Sequence, residues 1–339
     1  MRIVLAVVLF LLLIVFHEFG HFIVAKKSGI KVNEFAVGMG PLIYSRKKGE
    51  TKYSFRLIPI GGYCAMEGED DESSDPRSFD NAPAFKRFLT ILAGPVANLI
   101  IAIVVFTIVG LISGIITTKI GSFTENSPAQ EAGMEVGDEI RKVGDRDIKD
   151  FADISAGISD FYKDKDYKKP LTVEYFRESS DTVTAVDLKV EVKDDHAYIG
   201  IMPARRSPNI LEAVGLGFGE TWKNVKMIFV ILGRLFTGKL AFGALSGPVG
   251  VLKEIGNQAQ NGLANLLYFL AYISVNLAVF NLLPIPALDG SKLLTSAIEI
   301  ITGKKINKKI EEKVTMVGFF ILLGLILVVS IKDIVNLFR

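Results

Sequence analysis

The sequence has few of the residues that would indicate a disulfide scaffold or a nucleic-acid-binding surface. It has 339 residues but one cysteine, Cys64, which excludes an intramolecular disulfide framework. The 39 Lys and Arg residues nearly balance 37 Asp and Glu, so the basic excess expected of a nucleic-acid-binding protein is missing. A disordered chain is also excluded, because 50% of the residues are hydrophobic.

The apolar residues are concentrated in four blocks, and this distribution predicts a membrane protein with a soluble insert. As a helix, the first block would cover roughly 34 Å, enough to cross a hydrocarbon core of about 30 Å. It is also longer than the apolar part of a cleaved signal peptide, so we interpret it as a membrane span. The blocks are Ile3–Ala25, Phe88–Ile116, Gly262–Leu288 and Val314–Ile331.

We therefore predict a polytopic α-helical membrane protein with about four transmembrane helices and an inserted extracytoplasmic α+β domain. The predicted segments are transmembrane helix 1 at 1–26, a cytoplasmic-side membrane-associated β region and loop at 27–87, transmembrane helix 2 at 88–117, the inserted domain at 118–206, amphipathic membrane-surface helices at 207–262, transmembrane helix 3 at 263–290, a cytoplasmic loop at 291–313 and transmembrane helix 4 at 314–332.

The positions of lysine and arginine near the block ends predict the orientation of the chain in the membrane. Lys26, Lys27 and Arg87 flank the connection between the first two blocks, and the connection between the last two is rich in lysine. Both connections should therefore be cytoplasmic. The region 117–262 has few basic residues near its ends, so it should face the exterior, together with both termini.

The strongest chemical signal is the run His17-Glu18-Phe19-Gly20-His21 in the first block. On a helix, His17 and His21 project from one face, one turn apart, so both imidazoles can reach one Zn²⁺. Glu18 lies beside them, where a general base for an attacking water belongs. Alternatively, these side chains are hydrogen-bonded inside a helix bundle without a metal, but ionisable groups at membrane depth are costly unless paired or functional.

Two histidines leave a catalytic zinc one protein ligand short, and Asp289 is the candidate for that ligand. It follows the third apolar block after Pro284 and Pro286, which break the helix, and the predicted orientation puts it on the same side as the His pair. The alternative is that Asp289 is the N-cap of a helix that begins near Ser291.

Taken in order, these motifs resemble those of the site-2 protease family of intramembrane zinc metalloproteases, in particular its bacterial branch with a PDZ domain. Ser291 departs from the family pattern, which often has a second glycine there, and only one PDZ-sized insert fits. Further runs that carry the resemblance are Pro59-Ile60-Gly61-Gly62-Tyr63, Gly94-Pro95-Val96-Ala97-Asn98, Ser246-Gly247-Pro248-Val249-Gly250 and Asn281 to Gly290.

The resemblance implies one catalytic zinc ion bound by His17, His21 and Asp289, with Glu18 activating water. It also implies a multi-pass protein of the bacterial plasma membrane, with its active site toward the cytoplasm. The implied substrates are single-span membrane proteins cut within their transmembrane segments, such as anti-sigma factors or signal-peptide remnants. Other interpretations are a non-catalytic membrane scaffold that presents a PDZ domain, or a metal transporter, which would need polar residues across both leaflets.

Four residues are candidates for binding the substrate backbone. Asn98 and Asn281 match family positions implicated in this role, although either amide could instead join helices by a hydrogen bond. The segment Lys31–Met66 is typical of short strands and turns. It resembles the membrane-associated β-hairpin that lies near the metal in this family and pairs with extended substrate. Gly61 and Gly62 in this segment are therefore expected to contact the substrate.

The insert alternates predicted strands with turns, and several of its runs resemble a PDZ domain, among them Ser127-Pro128-Ala129 and Tyr198-Ile199-Gly200-Ile201. It could bind peptide ends by adding a strand, or act as a size filter without a ligand. His196 is interpreted as a surface residue. The predicted strands are Lys119–Phe123, Glu139–Val143, Leu171–Phe176, Val183–Glu191 and Ala197–Ile201.

An apolar stripe follows the insert and predicts an amphipathic helix on the outer membrane surface. A fifth membrane span is the alternative, but Lys223, Lys226 and Arg234 interrupt the segment. The stripe consists of Phe218, Trp222, Val225, Phe229, Leu232 and Phe236.

Overall fold

A computed structural model of the chain describes residues 2–69, 73–193, 196–239 and 247–337. The chain divides into a discontinuous unit, Met1–Val109 with Ala213–Arg339, and an inserted unit, Gly110–Glu212. In chain order the described elements are α1 (Arg2–Ser28), β1 (Val32–Lys48), β2 (Thr51–Met66), α2 (Ala84–Ser113), β3 (Ile115–Phe123), α3 (Pro128–Glu131), β4 (Glu139–Val143), β5 (Arg146–Asp147), α4 (Phe151–Phe161), β6 (Leu171–Arg177), β7 (Thr182–Leu188), β8 (Glu191–Lys193), β9 (His196–Tyr198), β10 (Ile201–Arg206), α5 (Ile210–Phe236), α6 (Pro248–Gln260), α7 (Leu263–Leu282), α8 (Asp289–Thr302) and α9 (Lys308–Leu337).

Four of the described helices are long and apolar enough to cross a membrane, and they coincide with the four predicted blocks. They are α1, α2, α7 and α9. Helix α9 leaves Phe320, Ile321 and Val328 more than 60% exposed, as expected of side chains that face lipid. The four-helix prediction is confirmed to this extent.

Two predicted boundaries around the third block are wrong. Helix α7 ends at Leu282 and not at 290, because Pro284 and Pro286 cannot continue it. The predicted loop 291–313 is mostly helical, because α8 extends from Asp289 to Thr302. A search for long apolar blocks misses α8, since this helix is amphipathic and buries only one face, which includes Leu293 and Ser296.

The helices of the discontinuous unit pack around α1 and α7. Leu13 of α1 lies in one buried cluster with Ile255 of α6 and Leu270 of α7. A second cluster joins Phe106 of α2 to Val275 of α7. These contacts fix the first helix, which carries the histidine pair, against two of its neighbours.

Helix α5 contacts neighbouring helices through a face that is offset from the predicted stripe. Phe218, Trp222 and Phe229 remain more than half exposed, whereas Val225 and Leu232 pack against a buried cluster on α2 and α7. The side chain of Phe236 lies outside the described residues. The buried face is offset from the stripe, because small and polar side chains pack more closely against neighbouring helices; it comprises Ala213, Thr221, Asn224 and Ile228.

Strands β1 and β2 pair in a sheet that folds back on itself. Residues 34–37 of β1 have partners at 62–65 and also at 52–55 of β2. Gly38 and Gly40 adopt φ of +83° and +80° between the inner and outer parts of β1, a conformation that glycine adopts without strain. The predicted strands of segment 31–66 are thus present, and 62–66 is left as one edge.

The inserted unit is built on a six-stranded sheet with strand order β10-β3-β4-β6-β7, in which β5 also pairs with β4. The predicted strand Val183–Glu191 ends at Leu188, and Ala197–Ile201 is interrupted by Gly200 with φ of +74°. The sequence prediction missed α4, although Asp150 and Asp153 form a capping box at its start. The core includes Ile120, Ile140, Val143, Leu171 and Val173.

Candidate active site

The structure brings together the three predicted metal ligands, which are 272 residues apart in the chain at their extremes. Nε2 of His17 lies 3.0 Å from Oδ2 of Asp289. Nε2 of His21 lies 3.4 Å from the same oxygen and 3.2 Å from Nε2 of His17. Both histidines are buried and Asp289 is partly buried.

The spacing and chemistry of these atoms fit a tetrahedral zinc ion. Donors about 2.0 to 2.1 Å from such an ion lie roughly 3.3 to 3.4 Å from each other, close to the three distances observed. Two imidazole nitrogens and one carboxylate are also a usual donor set for a catalytic zinc, with the fourth position left for water or substrate. The residues present therefore fit zinc.

The ring of His21 is oriented by the main chain of α2. Nδ1 of His21 lies 2.8 Å from the carbonyl oxygen of Thr90, to which it can donate a hydrogen bond. A proton held on Nδ1 leaves Nε2 as the free ligand atom. Sequence analysis missed this contact, and no sequence signal could have found it, because any residue supplies a carbonyl.

The first residue of the run Gly94 to Asn98 must be small, because Gly94 lies against the histidine pair. A Cβ atom at this position would overlap Nε2 of His21 and lie 2.9 Å from Cε1 of His17. A side chain there would therefore occupy the space toward which the imidazoles point. Glycine allows the backbone of α2 to pass directly beside the predicted metal site.

Asp289 is positioned by a tight segment between α7 and α8. Ala287 has φ of +73°, which costs energy for a residue with a Cβ atom, and such strain is found at functional sites. At Gly290 a Cβ atom would overlap the carbonyl oxygen of Leu283. The N-cap of α8 is Leu288, and Asp289 is the first helical residue, so the N-cap alternative for Asp289 is wrong.

Glu18 lies between the His pair and the edge of the hairpin. It is half-buried, and its Oε2 accepts a hydrogen bond of 3.1 Å from the backbone N–H of Cys64. Gly62 is nearby, since a Cβ atom there would lie 3.8 Å from Cγ of Glu18. The strand edge that contains Gly61 and Gly62 thus lies beside the predicted general base.

The two asparagines predicted to handle substrate occupy different environments. Asn98 is fully buried, and its Nδ2 lies 3.2 Å from Nδ1 of His17. Asn281 is half-buried in the last turn of α7, and its side chain makes no hydrogen bond to another described residue. Of the two, Asn281 is the more accessible to a substrate.

A cavity of about 500 Å³ reaches the predicted metal site, because Asp289 is part of its lining. Its wall combines apolar side chains such as Phe319 with charged ones, among them Lys292 from α8 and Glu311 from α9. His196 is exposed, as predicted, whereas Ser246 and Asp70–Glu72 lie outside the described residues.

The sequence profile of peptidase family M50 matches residues 5–325. The chain belongs to this family. A Clostridium acetobutylicum protein whose name makes it a candidate zinc metalloprotease is 40% identical over 337 residues, covering 98% of this chain and 97% of the relative. Regulator of sigma-W protease RasP of Bacillus subtilis is 31% identical over 418 residues, covering 98% of each chain.

Zinc metalloprotease RasP of Geobacillus kaustophilus is also 31% identical, over 417 residues that cover 98% of this chain and 97% of the relative. This M50 protein is therefore an intramembrane zinc metalloprotease, and the predicted resemblance to the site-2 proteases is confirmed. The membership identifies the activity and the metal. The substrate and the role of each side chain depend on the geometry of the site.

Proposed function

We propose that this metalloprotease hydrolyses peptide bonds within the transmembrane segments of single-span membrane proteins, in regulated intramembrane proteolysis. The observation that carries the proposal is the cluster of His17, His21 and Asp289, two of which lie in a helix able to cross the membrane. A site built into such a helix can reach bonds that lipid hides from soluble proteases. Anti-sigma factors and signal-peptide remnants are the substrate classes we propose.

The residues of the site have complementary roles in this proposal. His17, His21 and Asp289 hold the zinc ion, which when bound polarises the scissile carbonyl and acidifies water. Glu18 takes a proton from the attacking water and later delivers it to the leaving amine. The hydrogen bond from the Cys64 N–H keeps the Glu18 carboxylate between the hairpin edge and the His pair.

In this proposal the hairpin edge at 62–66 holds the substrate in an extended form. A helix hides its peptide bonds, so the scissile segment must be unwound and its backbone groups paired with another strand. Gly62 lies on that edge next to Glu18, and Gly61 precedes it in the same strand. Asn281, with its amide free of other described partners, can bind a backbone group of the unwound segment.

The inserted unit is proposed to be a PDZ domain, either binding peptide ends or acting as a size filter. Strand β10 lies at one end of the sheet and pairs only with β3 among the described strands, which leaves an edge for an added strand. Reporters with the same transmembrane segment separate these roles. Dependence on the terminal residues of the exterior tail indicates peptide binding, and dependence on tail size alone indicates a filter.

We propose that the inserted unit and both termini face the exterior of the bacterial plasma membrane, with the active site toward the cytoplasm. Support comes from the lysines between α8 and α9, among them Lys304 and Lys305. In a Cys64→Ser background, a membrane-impermeant maleimide applied to whole cells should label Asp181→Cys but not Lys304→Cys. The opposite result would overturn this orientation.

The main test compares cleavage of a panel of single-span reporters by wild type and by Glu18→Gln, with zinc measured in the purified proteins. We expect wild type to cut at least one reporter, and Glu18→Gln to retain zinc and cut none. The exposed carboxylate of Glu125 provides a control, since Glu125→Gln should cut like wild type. Unchanged cleavage by Glu18→Gln would remove Glu18 from the mechanism, whereas absence of both cleavage and bound zinc in the wild type and the variant would favour a non-catalytic scaffold.

A further inference from the structure

Asn98 is the most buried polar side chain in contact with the proposed zinc ligands. It is 0% exposed, and its Nδ2 lies 3.2 Å from Nδ1 of His17. Its other amide atom, Oδ1, is buried without a hydrogen-bond partner among the described residues. An acceptor left unpaired in a buried site is costly and calls for an explanation.

The chemistry of His17 supplies one. A neutral imidazole carries one proton, on either Nδ1 or Nε2. To bind zinc, Nε2 of His17 must offer a lone pair, so the proton must lie on Nδ1, which then needs an acceptor. The NH₂ group of Asn98 cannot accept a hydrogen bond, but its carbonyl oxygen can.

The two ends of the amide have nearly the same shape, and a half-turn about the Cβ–Cγ bond exchanges them. With Nδ2 toward His17, the amide favours a proton on Nε2 that points at Oδ2 of Asp289, which is 3.0 Å away. With Oδ1 toward His17, the amide favours a proton on Nδ1, and Nε2 is free for zinc. The half-turn gives the unpaired oxygen a donor and moves the NH₂ group to the position that the oxygen occupied.

We propose that Asn98 is a positioning residue whose amide oxygen accepts a hydrogen bond from Nδ1 of His17 in the zinc-bound enzyme. It fixes the tautomer and the ring orientation of His17, as the Thr90 carbonyl does for His21. The inference rests on the proposed function, in which His17 is a zinc ligand. It replaces the expectation that Asn98 grips the substrate backbone, since a fully buried side chain that contacts His17 is poorly placed to do so.

The neighbouring helix holds Asn98 in place. The hydroxyl of Ser274 in α7 donates a hydrogen bond of 2.8 Å to the main-chain carbonyl oxygen of Asn98, and Ser274 is also 0% exposed. A buried chain of contacts thus passes from α7 through α2 to His17 in α1. It restricts the amide to rotation about its own side-chain bonds.

The test measures the zinc affinity of the full chain in detergent by competition with a chromogenic chelator, for wild type, Asn98→Leu, Asn98→Asp and His17→Ala. Leu has a similar size but no polar atom, so Asn98→Leu should lose about 10- to 100-fold in zinc affinity. A carboxylate accepts hydrogen bonds, so Asn98→Asp should stay within about threefold of wild type. Far-UV circular dichroism of the zinc-free proteins checks folding, and Ser274→Ala controls for loosened helix packing.

Wild-type affinity in Asn98→Leu would overturn the inference, as would an equal loss in Asn98→Asp and Asn98→Leu. A raised KM in Asn98→Leu at unchanged zinc affinity would restore the substrate-binding interpretation. His17→Ala separates this test from the test of the proposed function, because it should abolish tight zinc binding whether or not Asn98 orients the ring. If His17→Ala bound zinc like wild type, the ligand assignment itself would fail.

A second readout reports the tautomer directly. The chain has three histidines, so ¹⁵N-histidine labelling gives few signals, and His196→Gln removes the exposed one. In the zinc-bound wild type and in Asn98→Asp, His17 should show a protonated Nδ1. Its absence in the zinc-bound wild type would contradict the proposal.

Discussion

The two units of this protease differ in which polar side chains they bury and which apolar side chains they leave exposed. The inserted unit buries branched apolar residues such as Ile140 and Leu171, as proteins in water do, while the strand Thr182–Leu188 leaves most of its side chains exposed. The discontinuous unit buries His17, His21 and Asn98 and leaves apolar side chains exposed along α9. Removal of apolar side chains from water stabilises the inserted unit. In the discontinuous unit, lipid can cover the exposed apolar side chains of α9, and the buried polar groups form the active site.

The largest effect is expected at Gly94 in the discontinuous unit, where the buried histidine pair leaves no space for a Cβ atom. Gly94→Ala should lower zinc content and proteolysis by at least about 100-fold, because the new methyl group would overlap the His21 ring. Metal analysis of the purified protein and reporter cleavage measure both. Gly324→Ala in α9, where a Cβ atom would meet nothing within 4 Å, is the control and should behave like wild type. Full zinc loading of Gly94→Ala would contradict this account of the site.

The apolar core of the inserted unit can be compared with the lipid-facing surface by the same substitution at two sites. Leu171→Ala should destabilise the inserted unit by about 2 to 5 kcal/mol, because Leu171 is 0% exposed. Leu325→Ala in α9 should cost much less, since Leu325 is 43% exposed and loses few protein contacts. Hydrogen exchange of peptides from 110–212 and from α9 reports each effect locally. Equal effects at the two positions would mean that the exposed face of α9 is packed against protein.

Electrostatic stabilisation in the inserted unit can be tested at Asp138. Burial alone would raise the pKa of this carboxyl, but hydrogen bonds from Arg177 and the Glu135 N–H outweigh it and lower the pKa below its usual value. Because the folded-state pKa is lowered, the stabilisation is complete above the unfolded pKa of about 3.9 and is lost as the pH falls through the folded pKa.

Arg177→Met should therefore destabilise the inserted unit by about 1 to 3 kcal/mol at pH 7, since the buried carboxylate loses its charged partner. It should also make stability less dependent on pH below about 4. Urea denaturation, monitored through hydrogen exchange of residues 133–143, measures both the loss of stability and its dependence on pH. Arg141→Met provides a control, because Arg141 is exposed and pairs with the nearby Glu139. An unchanged acid profile in Arg177→Met would contradict the pairing.

The smallest effect is expected at Asp333, a buried carboxylate in α9 that caps another helix. Its Oδ2 accepts hydrogen bonds of 2.8 Å from the N–H groups of Gly247 and Gly250 at the start of α6. Asp333→Ala should lower the stability of that contact by about 1 kcal/mol, and Asp333→Asn by less, because the amide oxygen still accepts. Hydrogen exchange of 249–256 is the measurement. Unchanged protection in Asp333→Ala would show that the cap does not stabilise α6.

The local part of the active site was predictable from the sequence because it depends on helical geometry alone. His17 and His21 lie one turn apart in any α-helix, and Glu18 follows from the same spacing. The four spans were predictable from composition, since a bilayer requires long apolar blocks. Strands β3, β4, β6 and β7 of the inserted unit were predictable from the alternation of strand-like runs and turns, whereas β5 and β10 were missed. Helix α4 could have been found from the capping box at Asp150 and Asp153.

The remaining features depend on how distant segments pack, which spacing in the chain does not encode. Asp289 contacts His17 because the strained turn at Ala287 and the close packing of Gly290 against the Leu283 carbonyl place the start of α8 beside α1. Thr90 acts through a carbonyl that every residue possesses. The position of Asn98 behind His17 follows from the contact of α2 with α1. The sequence by itself thus determined the membrane spans, the histidine pair and its metal chemistry. The tertiary structure alone decided how close the third ligand comes and how both imidazoles are oriented. The reason is that the contacts with Asp289, Thr90 and Asn98 form only when distant segments pack together.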